Sequence, residues 1–582
     1  MKFLEILIFF SNFLFQVNSK AKTPLYGIFF ARTDLTSPEV CAKVGCFRGK
    51  FESGRVRPYE AFYGIPYAEP PLGDLRFEKP IPHRGWTGYW DATYARDACM
   101  QRNIFLFEQP ILGSEDCLYL NVYRPNNWKK AKKLPVIVWI HGGATVAFSS
   151  DPEVIGPEYL MDNGEVILVT LNYRLGFFGF LCSGDEAVKG NFGVKDQQLA
   201  IKWVAANIEY FGGDPDSITL GGESSGAAAT HLHMLNPVSR TFFHRVMLMS
   251  GSALNGWAIS TDCPIKFRLG AKYSGLENWE TGTTYELANE LKKLDALTLV
   301  LALDKLFVFL QTPPGPLRPC IEGDWEDAFL KEHPRKIWLE GRYGPKPIFI
   351  GTTSDEGTLG AGLTTNETIL KEFNENIYEY IPIQLDINPR YMGEVIERYL
   401  GGKDYIDESN VEGYYQLYTD KQFIYPMVAL VEQYLQHSDV TKNPIFIYEF
   451  AFRSAYTFVK FLTGQDIYLG VSHIDDLFFL FSSPGLFTPF TPDSPEGHMA
   501  DTWVRTVVNF VVRGEMKFWR KYTPCTPAMS IPFCDRQIFQ RYEKMDPNQV
   551  NVSVSNKIDT EMIKFWAEKE YGVDAITFTP CF

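Results

Sequence analysis

The sequence predicts an α/β fold, in which helices cover both faces of a mostly parallel, doubly wound sheet. Two observations predict it: short runs that are apolar at every position, and helical patterns that alternate with these runs along the first half of the chain. A strand between two helical layers needs apolar side chains on both faces, so its sequence does not alternate with polar residues. Strand–helix alternation is typical of parallel sheets.

The predicted elements follow one another in the order that this fold requires. The strand runs are 134–140, 166–171, 217–220, 246–249, 347–350 and 445–448. The helical patterns are 196–211 and 227–234, with longer helix-rich segments at 260–320 and 365–436. We expect the two longer segments to be lid-forming insertions over the sheet. Because the chain has no internal repeat and no low-complexity linker, residues 20–582 are predicted to form a single domain.

The first 19 residues have the pattern of a signal peptide. Lys2 precedes a run that is apolar to Phe15 except for Glu5, and Val17 and Ser19 are small enough for cleavage after Ser19. A terminus that lies on a membrane surface is the alternative. No later stretch has the ~20 apolar residues that a membrane-spanning helix needs. The mature protein is therefore expected to be secreted and extracellular, without a membrane span.

Charge and composition exclude several kinds of partner. The formal net charge of -14 argues against nucleic acid or an anionic membrane surface as the main partner. The 10 cysteines form no CxxC pair, and no histidine cluster has metal-ligand spacing, so no metal and no cofactor is predicted. Asn366 and Asn551 begin sequons and are candidate glycosylation sites if the chain is secreted.

A candidate nucleophile lies between a predicted strand and a predicted helix. Ser224 is the central residue of GESSG at 222–226, directly after the strand run 217–220. A serine hydroxyl is a poor nucleophile and needs both exposure and a base beside it. The flanking glycines allow a sharp turn that presents the hydroxyl at the edge of the sheet. The GxSxG pattern is weak by itself, and its position between strand and helix makes it specific.

A glycine-containing loop after another strand is a candidate oxyanion hole. His141, Gly142, Gly143 and Ala144 follow the strand run that ends at Ile140. Backbone N–H groups that already point at a developing oxyanion stabilise the transition state of acyl transfer. An ordinary glycine turn is the alternative, and the nearby serine motif makes the oxyanion role the better interpretation.

Over nearly its whole length the chain resembles the type-B carboxylesterase/cholinesterase family, whose members have the α/β-hydrolase fold. The resemblance depends on motifs in family order: AFYGIPYAEPP (61–71), EDCLYLN (115–121), NFGVKDQ (191–197), FGGDP (211–215), GESSG (222–226), DEG (355–357) and GVSH (470–473). It implies a serine esterase that acts on small-molecule esters, with a preference for neutral apolar esters of xenobiotic, hormone or pheromone type.

The resemblance also implies which residues complete the site. Glu356 of DEG and His473 of GVSH would form a catalytic triad with Ser224, in the chain order serine, acid, histidine. His473 would take the serine proton and return it to the leaving alcohol, while Glu356 would orient the imidazole. With an ordinary histidine pKa of about 6.5, turnover would fall as the pH drops through roughly 6 to 7.

Further roles follow from the same resemblance. The oxyanion donors would be the N–H groups of Gly143, Ala144 and Ser225; Ala144 replaces the more usual glycine, and Ser225 replaces alanine, but both keep a backbone N–H. Trp257 lies where family members line the acyl pocket, and a core role is the alternative. Arg76 with Glu115 and Arg174 with Asp196 match structural ion pairs of the family.

The resemblance assigns one disulfide. Cys99 and Cys117 match the first disulfide loop of the family, while Cys263 has no obvious nearby partner. Cys41 with Cys46 and Cys525 with Cys534 are close in sequence, but spacing alone does not establish either pair.

Two other classes of protein share this kind of sequence. A non-catalytic cholinesterase-like adhesion protein has the same fold but usually lacks the triad, and a carrier of hydrophobic esters would need only an apolar gorge. The retained serine, glutamate and histidine favour a carboxylic-ester hydrolase. The loop between Cys99 and Cys117 contains no tryptophan, whereas cholinesterases use one there to bind the quaternary ammonium group, so neutral esters are expected to be better substrates than choline esters.

Overall fold

The computed structural model contains a central sheet of 11 strands. The structure describes residues 37–102, 111–126, 132–310, 312–514, 516, 539–546, 549–555 and 559–571. The strands of the sheet are β1 (Lys50–Ser53), β2 (Pro58–Pro66), β3 (Tyr119–Pro125), β4 (Leu134–Ile140), β5 (Ile167–Leu171), β6 (Gly213–Glu223), β7 (Arg245–Met249), β8 (Ile348–Thr353), β9 (Ile445–Phe450), β10 (Phe539–Asp546) and β11 (Gln549–Ser555). Their order across the sheet is β11-β10-β9-β8-β7-β6-β4-β5-β3-β2-β1.

The middle of the sheet is parallel and its edges are antiparallel. All neighbours from β5 to β10 pair in parallel. The pairs β5–β3, β3–β2 and β2–β1 at one edge and β10–β11 at the other are antiparallel. Short strands outside this sheet are Glu39–Ala42, Gly45–Arg48, Tyr89–Asp91, Gln101–Arg102 and Ile111–Leu112. The mostly parallel α/β sheet that the sequence predicts is confirmed.

Helices pack on both faces of this sheet. They are α1 (Glu158–Asn163), α2 (Gly176–Phe180), α3 (Phe192–Asn207), α4 (Ser225–Leu235), α5 (Cys263–Tyr273), α6 (Thr284–Leu291), α7 (Ala296–Asp304), α8 (Pro334–Leu339), α9 (Ala361–Thr364), α10 (Glu367–Glu375), α11 (Ile377–Leu385), α12 (Met392–Leu400), α13 (Val411–Thr419), α14 (Tyr425–His437), α15 (Phe458–Thr463), α16 (Pro495–Arg513) and α17 (Thr560–Tyr571). Single 3-10 turns are Gly73–Leu75, Ile208–Phe211, Ser239–Thr241, Glu356–Gly360, Pro389–Tyr391 and Asp475–Phe479.

Strand β4 shows why its sequence is apolar at nearly every position. Val136, Val138 and Ile140 belong to one hydrophobic cluster, while Ile137 and Trp139 belong to a second. Successive side chains of a strand point to opposite faces, so the two clusters are the cores above and below the sheet. Helices α3 and α4 contribute to the first core, and α1 and α16 contribute to the second.

Most predicted elements are present, with different boundaries. The run predicted at 217–220 is the inner part of the longer strand β6 (Gly213–Glu223), and the helix predicted at 196–211 begins and ends earlier, as α3 (Phe192–Asn207). The remaining residues of that pattern form the 3-10 turn Ile208–Phe211, which ends at Gly212 in the left-handed conformation with φ 87°. Glycine adopts that conformation without a steric penalty.

The two predicted insertions are helical in the structure. Helices α5, α6 and α7 lie within 260–320, and α10 to α14 occupy 367–437, one residue beyond the predicted segment 365–436. A five-residue π-helix, Asp420–Ile424, joins α13 to α14. Among the residues described, no helix has the length and apolar character that crossing a bilayer requires.

Candidate active site

The candidate site residues lie at the carboxyl ends of neighbouring parallel strands. Ser224 directly follows β6, the glycine-containing loop at 141–144 follows β4, and Glu356 lies just beyond β8. His473 is in the long segment after β9. Because the carboxyl ends of parallel strands meet at the same edge of a sheet, residues far apart in sequence are brought together there.

Ser224 lies in a strained turn between β6 and α4. Its backbone has φ 56° and ψ -125°, a conformation that is uncommon for a residue with a side chain. The Ser224 N–H donates to the carbonyl of Met249 over 2.9 Å. A Cβ atom added at Gly226 would lie 2.2 Å from the carbonyl oxygen of Ile140, so only glycine lets α4 pack this closely on β4. Ser224 is partly exposed, whereas Glu223 and Ser225 on either side are buried.

His473 and Glu356 form a buried hydrogen-bonded pair. The imidazole Nδ1 lies 2.6 Å from Glu356 Oε2, and the two residues are 3% and 0% exposed. The other carboxylate oxygen, Oε1, accepts hydrogen bonds from the Ser250 hydroxyl over 2.5 Å and from the Thr353 N–H over 2.8 Å. With both oxygens occupied, the carboxylate holds the imidazole in one orientation.

A second carboxyl group contacts the other side of the imidazole. His473 Nε2 lies 3.0 Å from Oε1 of Glu223, which immediately precedes Ser224 and is 1% exposed. The Nε2 atom therefore faces the turn that carries the serine. Glu223 is visible in the GESSG motif, but its contact with His473 is a tertiary one that the sequence analysis missed.

These carboxyl groups change the expected titration of His473. Burial alone would lower the pKa of His473, but the charges of Glu223, Glu356 and Asp476 outweigh it and raise that pKa to about 9. Burial raises the pKa of Glu223 to about 8, against the opposing effect of His473. Groups this close titrate as a pair. The raised pKa of His473 therefore predicts an acidic limb of activity above the pH 6 to 7 that an ordinary histidine would give.

The glycine-containing loop lies against the serine turn. A Cβ added at Gly142 would lie 3.2 Å from Ser224 Cβ, so the loop and the serine are in direct contact. Gly143 and Ala144 have φ 95° and 54°, and the Gly143 carbonyl accepts the N–H groups of Val146 and Ala147 over 3.0 Å each. Ser225 is the first residue of α4, so its N–H has no acceptor within the helix.

An aromatic wall lines this edge of the sheet. A Cβ added at Gly251 would lie 2.4 Å from the Ser224 carbonyl oxygen and 3.0 Å from the ring of Trp257, so the partly buried Trp257 is close to the serine turn. The ring centroids of Trp257 and Phe423 are 6.3 Å apart, and those of Phe423 and His473 are 4.8 Å apart. Phe423 was missed by sequence reasoning; it belongs to the π-helix, an irregularity that is frequent at functional sites.

The family's structural pairs are also present. Arg76 Nε donates to Glu115 over 2.7 Å, and the buried Arg174 guanidinium donates to Asp196 over 2.7 and 2.8 Å. Cys99 is bonded to Cys117, and Cys41 is bonded to Cys46. Cys525 and Cys534 lie outside the described residues.

The structure departs from expectation at Cys263, which does have neighbours. The sulfur atoms of Cys182, Cys263 and Cys320 all lie within 4.8 Å of one another. No sequence spacing indicates this cluster, because its members come from three separate segments.

The candidate glycosylation sites occupy different elements. Asn366 is the N-cap of α10, where its side chain accepts the N–H groups of Thr368 and Ile369 over 3.1 Å each. Asn551 lies on β11. The predicted signal peptide at 1–19 falls outside the described residues.

Comparison with known proteins agrees with this geometry over almost the whole chain. The model of the "Carboxylesterase family" matches residues 36–566. The chain is 34% identical over 563 residues to "Juvenile hormone esterase" of Tribolium castaneum (93% of each chain), and 31% identical over 558 residues to "Carboxylic ester hydrolase" of Bombus ignitus (93% of this chain and 96% of that one). The structure of juvenile hormone esterase from Manduca sexta with OTFP covalently attached superposes with a TM-score of 0.79 at 26% identity, covering 92% of this chain and 100% of that one. With the α/β-hydrolase fold and this extent of similarity, the chain belongs to the carboxylesterase family and is a carboxylic-ester hydrolase.

Proposed function

We propose that Ser224, His473 and Glu356 are the catalytic triad and that hydrolysis proceeds through an acyl-enzyme on Ser224. The observation that carries this proposal is the buried hydrogen bond of 2.6 Å between Glu356 and His473 Nδ1, with the imidazole Nε2 facing the serine turn. Glu356 accepts a hydrogen bond from Nδ1–H, which leaves the lone pair of the neutral imidazole on Nε2, where it can accept a proton. His473 takes the Ser224 proton as the hydroxyl attacks the ester carbonyl and later returns it to the leaving alcohol.

In this proposal the tetrahedral oxyanion is held by backbone N–H groups. Gly143 and Ala144 supply two donors from a loop that touches Ser224, and Ser225 supplies a third from the first turn of α4. Donors on a loop with defined backbone angles need no reorganisation when the charge develops, which is how such groups lower the barrier.

Substitution of the nucleophile tests the assignment. In Ser224→Ala, the burst and turnover of a chromogenic ester should both disappear, with turnover falling on the order of 10⁶-fold, because triad members act as a unit. Ser225→Ala is the matched control, since it removes a neighbouring hydroxyl but keeps the backbone N–H, and it should retain the burst. Undiminished hydrolysis by Ser224→Ala would refute the triad. A wild-type protein that binds esters without a burst would support the carrier or adhesion interpretation.

We further propose that the substrates are neutral apolar esters, a class that includes hormone-type esters. Two of the relatives named above are juvenile hormone esterases. The aromatic wall of Trp257 and Phe423 offers apolar contact area for such a substrate. The loop between Cys99 and Cys117 contains no tryptophan to bind a quaternary ammonium group, a contact that is worth about 2 kcal/mol, or about thirtyfold in binding.

A direct comparison of two thioesters tests the substrate class. A neutral butyrate thioester should have a higher kcat/KM than butyrylthiocholine of comparable size. A preference for the choline substrate would assign the chain to the cholinesterase branch instead.

We also propose that residues 1–19 direct secretion and that residues 20–582 form one domain in the extracellular protein. The apolar run after Lys2 and the small residues before position 20 support secretion. The two disulfides support an oxidising compartment.

A further inference from the structure

Three buried cysteines outside the ester-hydrolysing site meet at one point. Cys182 follows α2, Cys263 is the first residue of α5, and Cys320 lies beside Ser260, with which it forms a β-bridge. The three side chains are 3%, 8% and 1% exposed. Their sulfur atoms lie within 4.8 Å of one another without being bonded, whereas the other four described cysteines form two disulfides.

The backbone around this cluster is fixed by specific contacts. The Asn191 side chain accepts the Cys320 N–H and donates to the Cys320 carbonyl, both over 2.8 Å. A Cβ added at Gly190 would lie 2.8 Å from Cys320 Sγ and 3.1 Å from Cys182 Sγ, so the absence of a side chain there leaves room for the two sulfurs. The cysteines are therefore held in place before any ligand is bound.

Positively charged side chains lie near one of these thiols. Lys266, which is 8% exposed, and Arg318 both interact electrostatically with Cys263. Asp262 contacts Lys266 over 2.9 Å and offsets part of this positive charge. Thiolate is the form of cysteine that binds metals.

We propose that Cys182, Cys263 and Cys320 form a three-thiolate site for a soft d¹⁰ metal ion, with Zn²⁺ as the probe. Thiolates are the preferred ligands of such ions. A Zn–S bond is about 2.3 Å long, which places tetrahedral ligand sulfurs about 3.8 Å apart and within the spread observed here. Binding releases the thiol protons to solvent and requires no oxidant. The three thiolates and Zn²⁺ carry one net negative charge, which Lys266 and Arg318 lie close enough to compensate.

The odd number of thiols distinguishes this site from a disulfide. A disulfide would join two of the cysteines and leave the third buried against it, whereas a metal ion uses all three. The ion would connect the segment after α2, the start of α5 and the segment around Cys320. Ser260 pairs with Cys320, and Trp257 is three residues before Ser260. Metal binding would therefore also anchor the segment that carries Trp257.

Cobalt titration of the purified protein, with the Cys41–Cys46 and Cys99–Cys117 disulfides intact, tests the site without using enzyme activity. Co²⁺ should produce an intense thiolate-to-cobalt charge-transfer absorption in the near ultraviolet that saturates at one equivalent and disappears when Zn²⁺ is added. Cys182→Ser and Cys320→Ser should each lose most of this absorption. The double variant Cys41→Ser/Cys46→Ser, which removes a disulfide elsewhere, should keep it.

Alkylation mapping provides a second readout on the wild-type chain, so the test does not depend on whether the variants fold. Because the three cysteines are buried in the native protein, alkylation is carried out in mild urea that opens the structure transiently. Under these conditions Zn²⁺ should protect all three cysteines together from iodoacetamide. The proposal is overturned if wild-type protein gives no charge-transfer absorption, or if peptide mapping of the protein as isolated recovers a disulfide between any two of the three.

Discussion

At the scale of single residues, His473 is placed between two carboxyl groups. Glu356 fixes Nδ1, and Glu223 contacts Nε2, the nitrogen that accepts the serine proton in the proposed mechanism. An ionised carboxyl group beside Nε2 stabilises the imidazolium form, which explains the direction of the His473 pKa shift. In the proposed mechanism the same contact would stabilise the positive charge that develops on the imidazole as Ser224 attacks.

Removal of the Glu223 charge should shift the pH dependence of hydrolysis. The base must be neutral, so activity is present above the His473 pKa and is lost as the pH falls through it. The kcat/KM of the wild-type enzyme should therefore decline as the pH is lowered, with a midpoint above pH 6.5. Glu223→Gln removes a charge that raises the pKa, and its limb should move to lower pH.

A graded control accompanies this measurement. Asp476→Asn should move the limb in the same direction by a smaller amount, because Asp476 is a weaker contributor to the His473 pKa. If the acidic midpoint of kcat/KM in Glu223→Gln were equal to or higher than that of the wild-type enzyme, Glu223 would not raise the pKa of His473.

At the scale of elements, the close packing of α4 on β4 positions the nucleophile. Gly226→Ala should lower the free energy of unfolding by about 3 kcal/mol or more. The new methyl group would lie 2.2 Å from the Ile140 carbonyl oxygen, a backbone atom that cannot move away without distorting β4. Urea denaturation followed by circular dichroism measures the change. Gly393→Ala in α12 is the matched control: no atom lies within 4 Å of its added Cβ, and it should stabilise by about 0.4–1 kcal/mol. Equal unfolding midpoints for the two variants would contradict this account of the turn.

The aromatic wall should select the acyl group of the substrate. Trp257→Ala removes the large ring beside the serine turn, so kcat/KM for branched acyl esters should rise by about tenfold relative to acetyl esters. Trp279→Ala, whose ring is 4.5 Å from Lys272 Nζ, is the control and should leave this ratio unchanged. An unchanged ratio in Trp257→Ala would favour a purely structural role for the tryptophan.

The sequence could predict strands and site residues only where the relevant information is local. Both faces of β4, β5, β7, β8 and β9 are buried, so their sequences are apolar and their composition alone predicts them. Ser224 and the loop at 141–144 follow such strands directly and could be located in the same way. Glu356 and His473 required the family motifs. The contact of Glu223 with His473, the position of Phe423 and the meeting of three cysteines depend on how distant segments pack, and no spacing encodes them.

At the scale of the whole molecule, the predicted signal peptide has a direct test. Expression of the full chain in insect cells should deliver active protein to the culture medium with Lys20 as its first residue, because cleavage is expected after Ser19. N-terminal sequencing of the purified protein identifies the cleavage position. A variant that lacks residues 2–19 should stay inside the cells. Recovery of the wild-type chain only from the cells, with Met1 retained, would contradict secretion.

The arrangement of the reacting groups on separate strand ends has a consequence for how such an enzyme can diversify. β6 and β8 end beside Ser224 and Glu356, and the helical segments between β7 and β8 and between β8 and β9 connect strands of the sheet without forming part of it. Insertions, deletions and substitutions can therefore accumulate in those connecting segments while the strand ends keep their register. Related enzymes can therefore come to act on different esters through changes in these connecting segments, while the residues at the strand ends stay the same.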